Sequence, residues 1–267
     1  MFKNVYLKNL RDLRINLTYW LIGILTLSFY LSFAYNSFSE NLESFNDLID
    51  SFPKELLNLL GAENGLDMST FAGFLNLEIF GVFGPIMLII IGINSGTSII
   101  AGELNNKTIE IIMSSSISRN SYLIQNIFVM FTKIFSVSLF IFISFIIFSY
   151  IFSLNLEGLK LLGTIIHLAL LSLVFGSLSL LIGSITGNKT KTLSISATIA
   201  ILSHFMNAIS PLIDVTKNMK YFSVFHYYKN SNPIVNGMDF FDVFIMSLLC
   251  IIFITISFIT FKYKDLH

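Results

Sequence analysis

Residues Ala101–Arg119 read AGELNNKTIEIIMSSSISR, a polar island set between two long apolar runs. Residues 79–100 lead into it, and the chain is apolar again over 122–153. An apolar run of about 20 residues, rising about 1.5 Å each as a helix, matches the hydrocarbon thickness of a bilayer. A short amphipathic segment between two such runs lies at a membrane surface, where a soluble partner can push on it. The fold turns on whether the rest of the chain repeats this pattern.

It does. The chain of 267 residues is 54% hydrophobic and 12% charged, against roughly 25% charged in soluble domains. This defines an all-α integral membrane protein. Six apolar runs qualify as spans, at about 17–35, 79–100, 122–153, 163–185, 193–209 and 243–261. Within the second, Gly84-Pro85 predicts a kink. The third is longer than one crossing needs, and Lys133 divides it. A lysine at mid-bilayer costs about 2.5–3.5 kcal/mol, which places Lys133 near the interface and makes residues 118–132 a helical extension beyond the membrane. Along the fourth, Ser172, Gly176, Ser179 and Gly183 form a stripe that permits close helix packing.

The ends and loops fill in the outline. Phe2, Val5, Tyr6, Leu10 and Leu13 share helical spacing, with Lys3, Lys8, Arg11 and Arg14 on other faces, which predicts an N-terminal interfacial helix. Ser32-Phe33-Ala34 resembles a signal-peptidase site, but the run before it is long for a signal peptide, so it is read as a retained span. Residues 36–78 form a polar segment whose apolar stripe, Phe38, Leu42, Phe45, Ile49 and Phe52, predicts an outer helix, with a second short one after Pro53. Its acidic side chains are read as a solvated face. Residues 210–242 include Phe222–Tyr228, too short to span and too apolar to float, and predict an interfacial or re-entrant helix.

With both termini on the inner side, the inner segments carry eleven Lys and Arg and the outer ones five. By the positive-inside rule the termini and the island are cytoplasmic, and the protein is multi-pass in the cell membrane. The net charge is zero, so there is no basic field for nucleic acid. The single cysteine, Cys250, lies in an apolar run and excludes an internal disulfide or a thiolate metal cluster.

Chemistry is sparse. No phosphate-binding G-x-x-x-x-G-K-[ST], no H-E-x-x-H and no G-x-S-x-G occurs. His167 and His204 lie in spans, and Asn207 follows His204 by one turn. An intramembrane hydrolase could use such a pair, but no glutamate stands in a span interior to complete it, so both histidines are read as packing groups. Asn94, Ser95 and Thr97 are polar within the second span and must face other helices or a pathway, as must His204 and Asn207.

The island resembles the signature of the type-2 permease family of ATP-binding-cassette transporters, approximately A-G-E-x-x-x-G-T-x-E-x-L-L-x-x-P-x-S-R. Ala101, Gly102, Glu103, Thr108, Glu110, Ile112, Met113, Ser118 and Arg119 fall on matching positions without a gap. Lys107 stands where the family has glycine, Ser116 where it has proline, and Asn126 where a lysine is common. The resemblance implies that residues 101–119 form a cytoplasmic coupling helix, with Glu103, Lys107, Thr108, Glu110, Ile111, Ile112, Met113, Ser118 and Arg119 meeting a separate ATPase. Ser118 is placed to cap the next helix, and Arg119 to anchor at headgroups or pair with Glu103. It further implies two ATPase subunits that bind the ATP and Mg, a second permease copy or homologue, membrane lipid around the spans, and no cofactor or catalysis in this chain. The function expected is export of a hydrophobic or amphipathic substrate such as an antibiotic, antimicrobial peptide or lipid. The alternatives are an ATPase-independent channel or secondary transporter, and less favoured, the intramembrane hydrolase.

Overall fold

A computed structural model describes residues 5–38, 53, 69–114, 117–210 and 214–264. The outer helices expected within residues 39–68 lie outside these. Among the described residues all regular structure is helical, and six helices are long and apolar enough to cross a membrane. We number the helices α1 (Val5–Asp12), α2 (Arg14–Phe38), α3 (Phe71–Leu75), α4 (Phe83–Thr97), α5 (Ile109–Ser114), α6 (Arg119–Ile151), α7 (Gly158–Thr186), α8 (Lys189–Ile209), α9 (Val224–Lys229), α10 (Pro233–Asn236) and α11 (Phe240–Lys262). A π turn, Asn76–Phe80, prolongs α3, and another, Ser98–Gly102, carries α4 on to Asn105.

The second crossing begins at Phe83, after a turn at Gly81-Val82, and not at residue 79. Gly84-Pro85 therefore sits in the first turn of α4, and the helical path breaks one turn earlier, at Gly81-Val82, where a proline at 85 leaves the Gly81 carbonyl without its i+4 donor. Residues 71–80 instead form a separate apolar element at the far end of the bundle. Thr70 caps it by accepting from Gly73 N at 3.1 Å, and Tyr35 packs on Phe71 and Phe74 at 5.1 and 5.4 Å between ring centroids.

Helix α7 is the axis of the bundle: 78% of its apolar window is buried, against 17% for the peripheral α11. Its serine and glycine stripe faces α4. A Cβ on Gly96 would stand 2.0 Å from the Gly176 carbonyl oxygen, and one on Gly92 would stand 2.3 Å from that of Ser172. Hydroxyls fasten the same seam. Ser172 Oγ donates to Leu88 O at 2.5 Å, Ser179 Oγ to Ile93 O at 3.0 Å, and Thr97 Oγ1 lies 2.7 Å from Ser179 Oγ. In hydrocarbon these contacts substitute for a hydrophobic driving force that lipid does not supply.

The other crossings attach to this pair. Ser28 of α2 meets Ser144 of α6 at 3.0 Å, and Phe29 packs edge-on against Phe148 at 5.5 Å. At the far end α9, the aromatic segment expected to be interfacial or re-entrant, packs inward. Phe225, His226 and Tyr228 are buried, Ser223 caps the helix, and Tyr228 Oη donates to Phe80 O at 2.8 Å. Burial and the nearby Lys220 ammonium hold the His226 imidazole below its ordinary pKa.

Candidate functional site

The island closes the end of the bundle that carries both described termini. Its first residues are not a loop but the continuation of α4 through the π turn. That wider turn leaves a carbonyl to be satisfied, and Tyr122 Oη donates to Ile99 O at 2.5 Å from the start of α6. The helix stops where Lys107 adopts φ +54°, the left-handed conformation that a Cβ disfavours. This accounts for glycine at that place in the family pattern.

Glu103 and Thr108 lock the turn. Thr108 N donates to Glu103 O at 3.0 Å, and the Thr108 hydroxyl bonds both that carbonyl and the Glu103 carboxylate. Helix α5 follows. Ile109 is buried in the protein's own core and Met113 packs against it half-buried, so these two apolar residues fasten α5 to the spans. Lys107 and Glu110 are exposed. The side chains of Ile111 and Ile112, and residue Ser116, lie outside what is described.

Ser118 caps α6 as expected from sequence, its Oγ accepting from Ser121 N at 3.2 Å. Arg119 neither pairs with Glu103 nor is left to the headgroups. Its Nη1 donates to Phe261 O, Lys262 O and Lys264 O at 3.0, 3.2 and 2.7 Å, with its guanidinium over the Phe261 ring. A cation on the last carbonyls of a helix satisfies acceptors that have no intrahelical partner and complements the helix dipole. Lys264 ties the same tail to α7, donating through Nζ to Ile185 O at 2.6 Å, and burial lowers its pKa. The island thus bonds to the ends of α6 and α11, and α11 to α7.

The polar residues picked out within the spans do not converge. Thr97 belongs to the α4–α7 seam, whereas Asn94 is exposed. Ser95 is half-buried and bonds back to Ile91 O at 2.6 Å. His204 packs edge-on against Phe225 at 4.9 Å, Asn207 is buried nearby in α8, and His167 bonds Gly163 O at 2.9 Å. Among the described residues no group of three or more metal-ligating side chains occurs.

Sequence reasoning missed Tyr122, Phe261 and Lys264 as parts of this end. Carbonyl acceptors leave no mark in a sequence, since every residue has one. It also missed a cavity of about 280 Å³ beside the island, whose wall includes Glu103, Lys8 and Lys133. There a signal was present, in the single cation interrupting the third apolar run.

Residues 3–266 match the family model described as ABC-2 family transporter protein, and the chain belongs to that family. It is a multi-pass membrane protein and a membrane subunit of that transporter class. No curated protein and no solved structure matches it.

Proposed function

We propose that this ABC-2 family chain is the permease subunit of an ATP-driven exporter, and that residues 101–119 are where a separate ATPase delivers its motion. The observation that carries the proposal is the arrangement of the island. Lys107 and Glu110 are presented to solvent on a short element whose other side is anchored by Ile109, Met113 and the Glu103–Thr108 turn. A push on α5 would reach α4 through Ile109 and the Glu103–Thr108 turn, and α7 through the α4–α7 seam.

The positive-inside count supports a cytoplasmic position for this end and both termini. Two ATPase subunits would bind the ATP and Mg there, and their closure would shift the spans between inward- and outward-facing arrangements. One chain supplies six crossings, so a second permease, identical or homologous, completes the pathway. Aromatic and aliphatic span surfaces with few fixed charges suit a hydrophobic or amphipathic cargo. This chain contributes no catalytic group.

The test is co-purification with the cognate ATPase subunit. The double variant Glu103→Arg, Glu110→Arg is expected to lose the ATPase while remaining monodisperse. Retention equal to that of the unaltered chain would refute the coupling assignment.

A further inference from the structure

We infer that the cavity between α1, α4 and α6 binds the headgroup of an anionic phospholipid, with Lys133 as its anchor. The inference stands apart from the transport proposal, since it requires only that the chain cross a membrane.

Helix α1 lies against the first half of α6. Tyr6 N donates to Gln125 Oε1 at 3.2 Å, Tyr6 Oη meets Thr132 Oγ1 at 3.0 Å, and Asn9 Nδ2 donates to Asn126 Oδ1 at 2.6 Å. Between these helices and the last turns of α4 remains a space of about 280 Å³. Drug-sized ligands occupy roughly 300–1,000 Å³, so this one suits a headgroup and not a whole amphiphile.

Its depth points the same way. From Lys133 to the end of α6 at Ile151, the helix rises about 27 Å, close to the roughly 30 Å of a bilayer's hydrocarbon. Lys133 therefore stands where hydrocarbon gives way to headgroups, and the cavity opens at that level.

The charges select the ligand. Lys133 is only 8% exposed, lines the cavity, and makes no hydrogen bond or ion pair within its walls. An ammonium so enclosed, turned to a cavity and not to bulk water, favours an anionic partner there. The two acids on the same wall do not supply it. Glu103 accepts from Thr108 in the turn, and Asp12 is exposed. Lys8 adds a second cation, and the second amide N–H of Asn9, whose first is given to Asn126, adds a donor for a phosphate oxygen. The wall's two acids equal its two cations in number, so the preference for an anionic headgroup over a zwitterion rests on Lys133, the enclosed cation that neither acid pairs.

The experiment is a binding titration by native mass spectrometry on the full chain in neutral detergent. The probes are short-chain phosphatidylglycerol, short-chain phosphatidylcholine and inorganic phosphate. One phosphatidylglycerol is expected to bind saturably. Lys133→Gln is expected to weaken it at least about tenfold, equivalent to about 1.4 kcal/mol, and Lys133→Arg to retain it. Lys160→Gln, at the other end of the bundle, should leave binding unchanged. Equal binding by Lys133→Gln, or equal affinity for phosphatidylcholine, would overturn the assignment. Displacement of the lipid by an equal concentration of inorganic phosphate would show a free-anion site and overturn the headgroup. If Lys133→Gln is not monodisperse, Lys8→Gln on the surface helix carries the test, and unchanged affinity there would refute the inference.

Discussion

The α4–α7 seam and the island end of the bundle are held together by opposite means. In the seam, backbones touch. Glycines admit the Ser172 and Gly176 carbonyls to within 2.3 Å of where a Cβ would stand, and hydroxyls donate directly to the neighbouring backbone. At the island end long side chains also bridge the elements: Arg119 to the tail, Lys264 to α7, Tyr122 to α4. Close-packed backbone has one arrangement, whereas side-chain bridges can break and re-form. The difference separates a rigid pair of helices from an adjustable set of joints around it, as the proposed coupling at this end requires.

Breaking the rigid half should have the largest effect. Gly96→Leu drives a side chain into the Gly176 carbonyl, at a cost of about 3 kcal/mol or more. Loss of monodisperse protein in size-exclusion chromatography is expected. Near-normal recovery would mean that the seam can separate.

Breaking a joint should cost less. Arg119→Ala removes three bonds to the α11 tail, about 2–3 kcal/mol for a charged donor. The fold should persist with a lower thermal midpoint, and a cysteine at Tyr263 should become more reactive. Lys107→Gly relieves the left-handed residue at the turn and should raise stability by about 0.5–1 kcal/mol. A fall would mean that the lysine side chain outweighs its backbone strain.

Two smaller changes sharpen the contrast. Thr97→Val deletes one hydroxyl bond of the seam while keeping its shape, worth about 0.6 kcal/mol for an interhelical bond in a membrane. If backbone contact dominates the seam, this loss stays far below that of Gly96→Leu. At the far end, His226 has a folded pKa below its ordinary value. Stability is complete above the unfolded pKa of about 6.5. It declines as pH falls below that, because the unfolded chain takes up the proton first. His226→Gln should flatten the decline in a thermal-midpoint series, an effect of about 2 °C.

The six crossings were legible because each is an apolar run of bilayer length, and the long third run told of a helix longer than one crossing needs. The Ser172–Gly183 stripe announced a close contact without naming its partner. Gly92 and Gly96 carry the complementary surface, but two glycines in an apolar run point to no particular neighbour. The island's turn was readable only through the family pattern, where Lys107 replaced a glycine. Arg119 was read towards headgroups or Glu103 because charge suggests charge, whereas the folded chain offers it three carbonyls in one place. The start of the second crossing was misplaced since Ile79 and Phe80 are as apolar as the span they precede, and only the Gly81-Val82 turn separates them.

The Arg119 clamp also orders events during synthesis. Its donor enters the membrane with the third crossing, and its acceptors at Phe261, Lys262 and Lys264 arrive with the sixth. Until then the guanidinium at the head of α6 lacks those acceptors, and α7 lacks the tether from Lys264. Closure of the clamp therefore waits on the sixth crossing, and the order of insertion is also the order in which this end of the bundle is fastened.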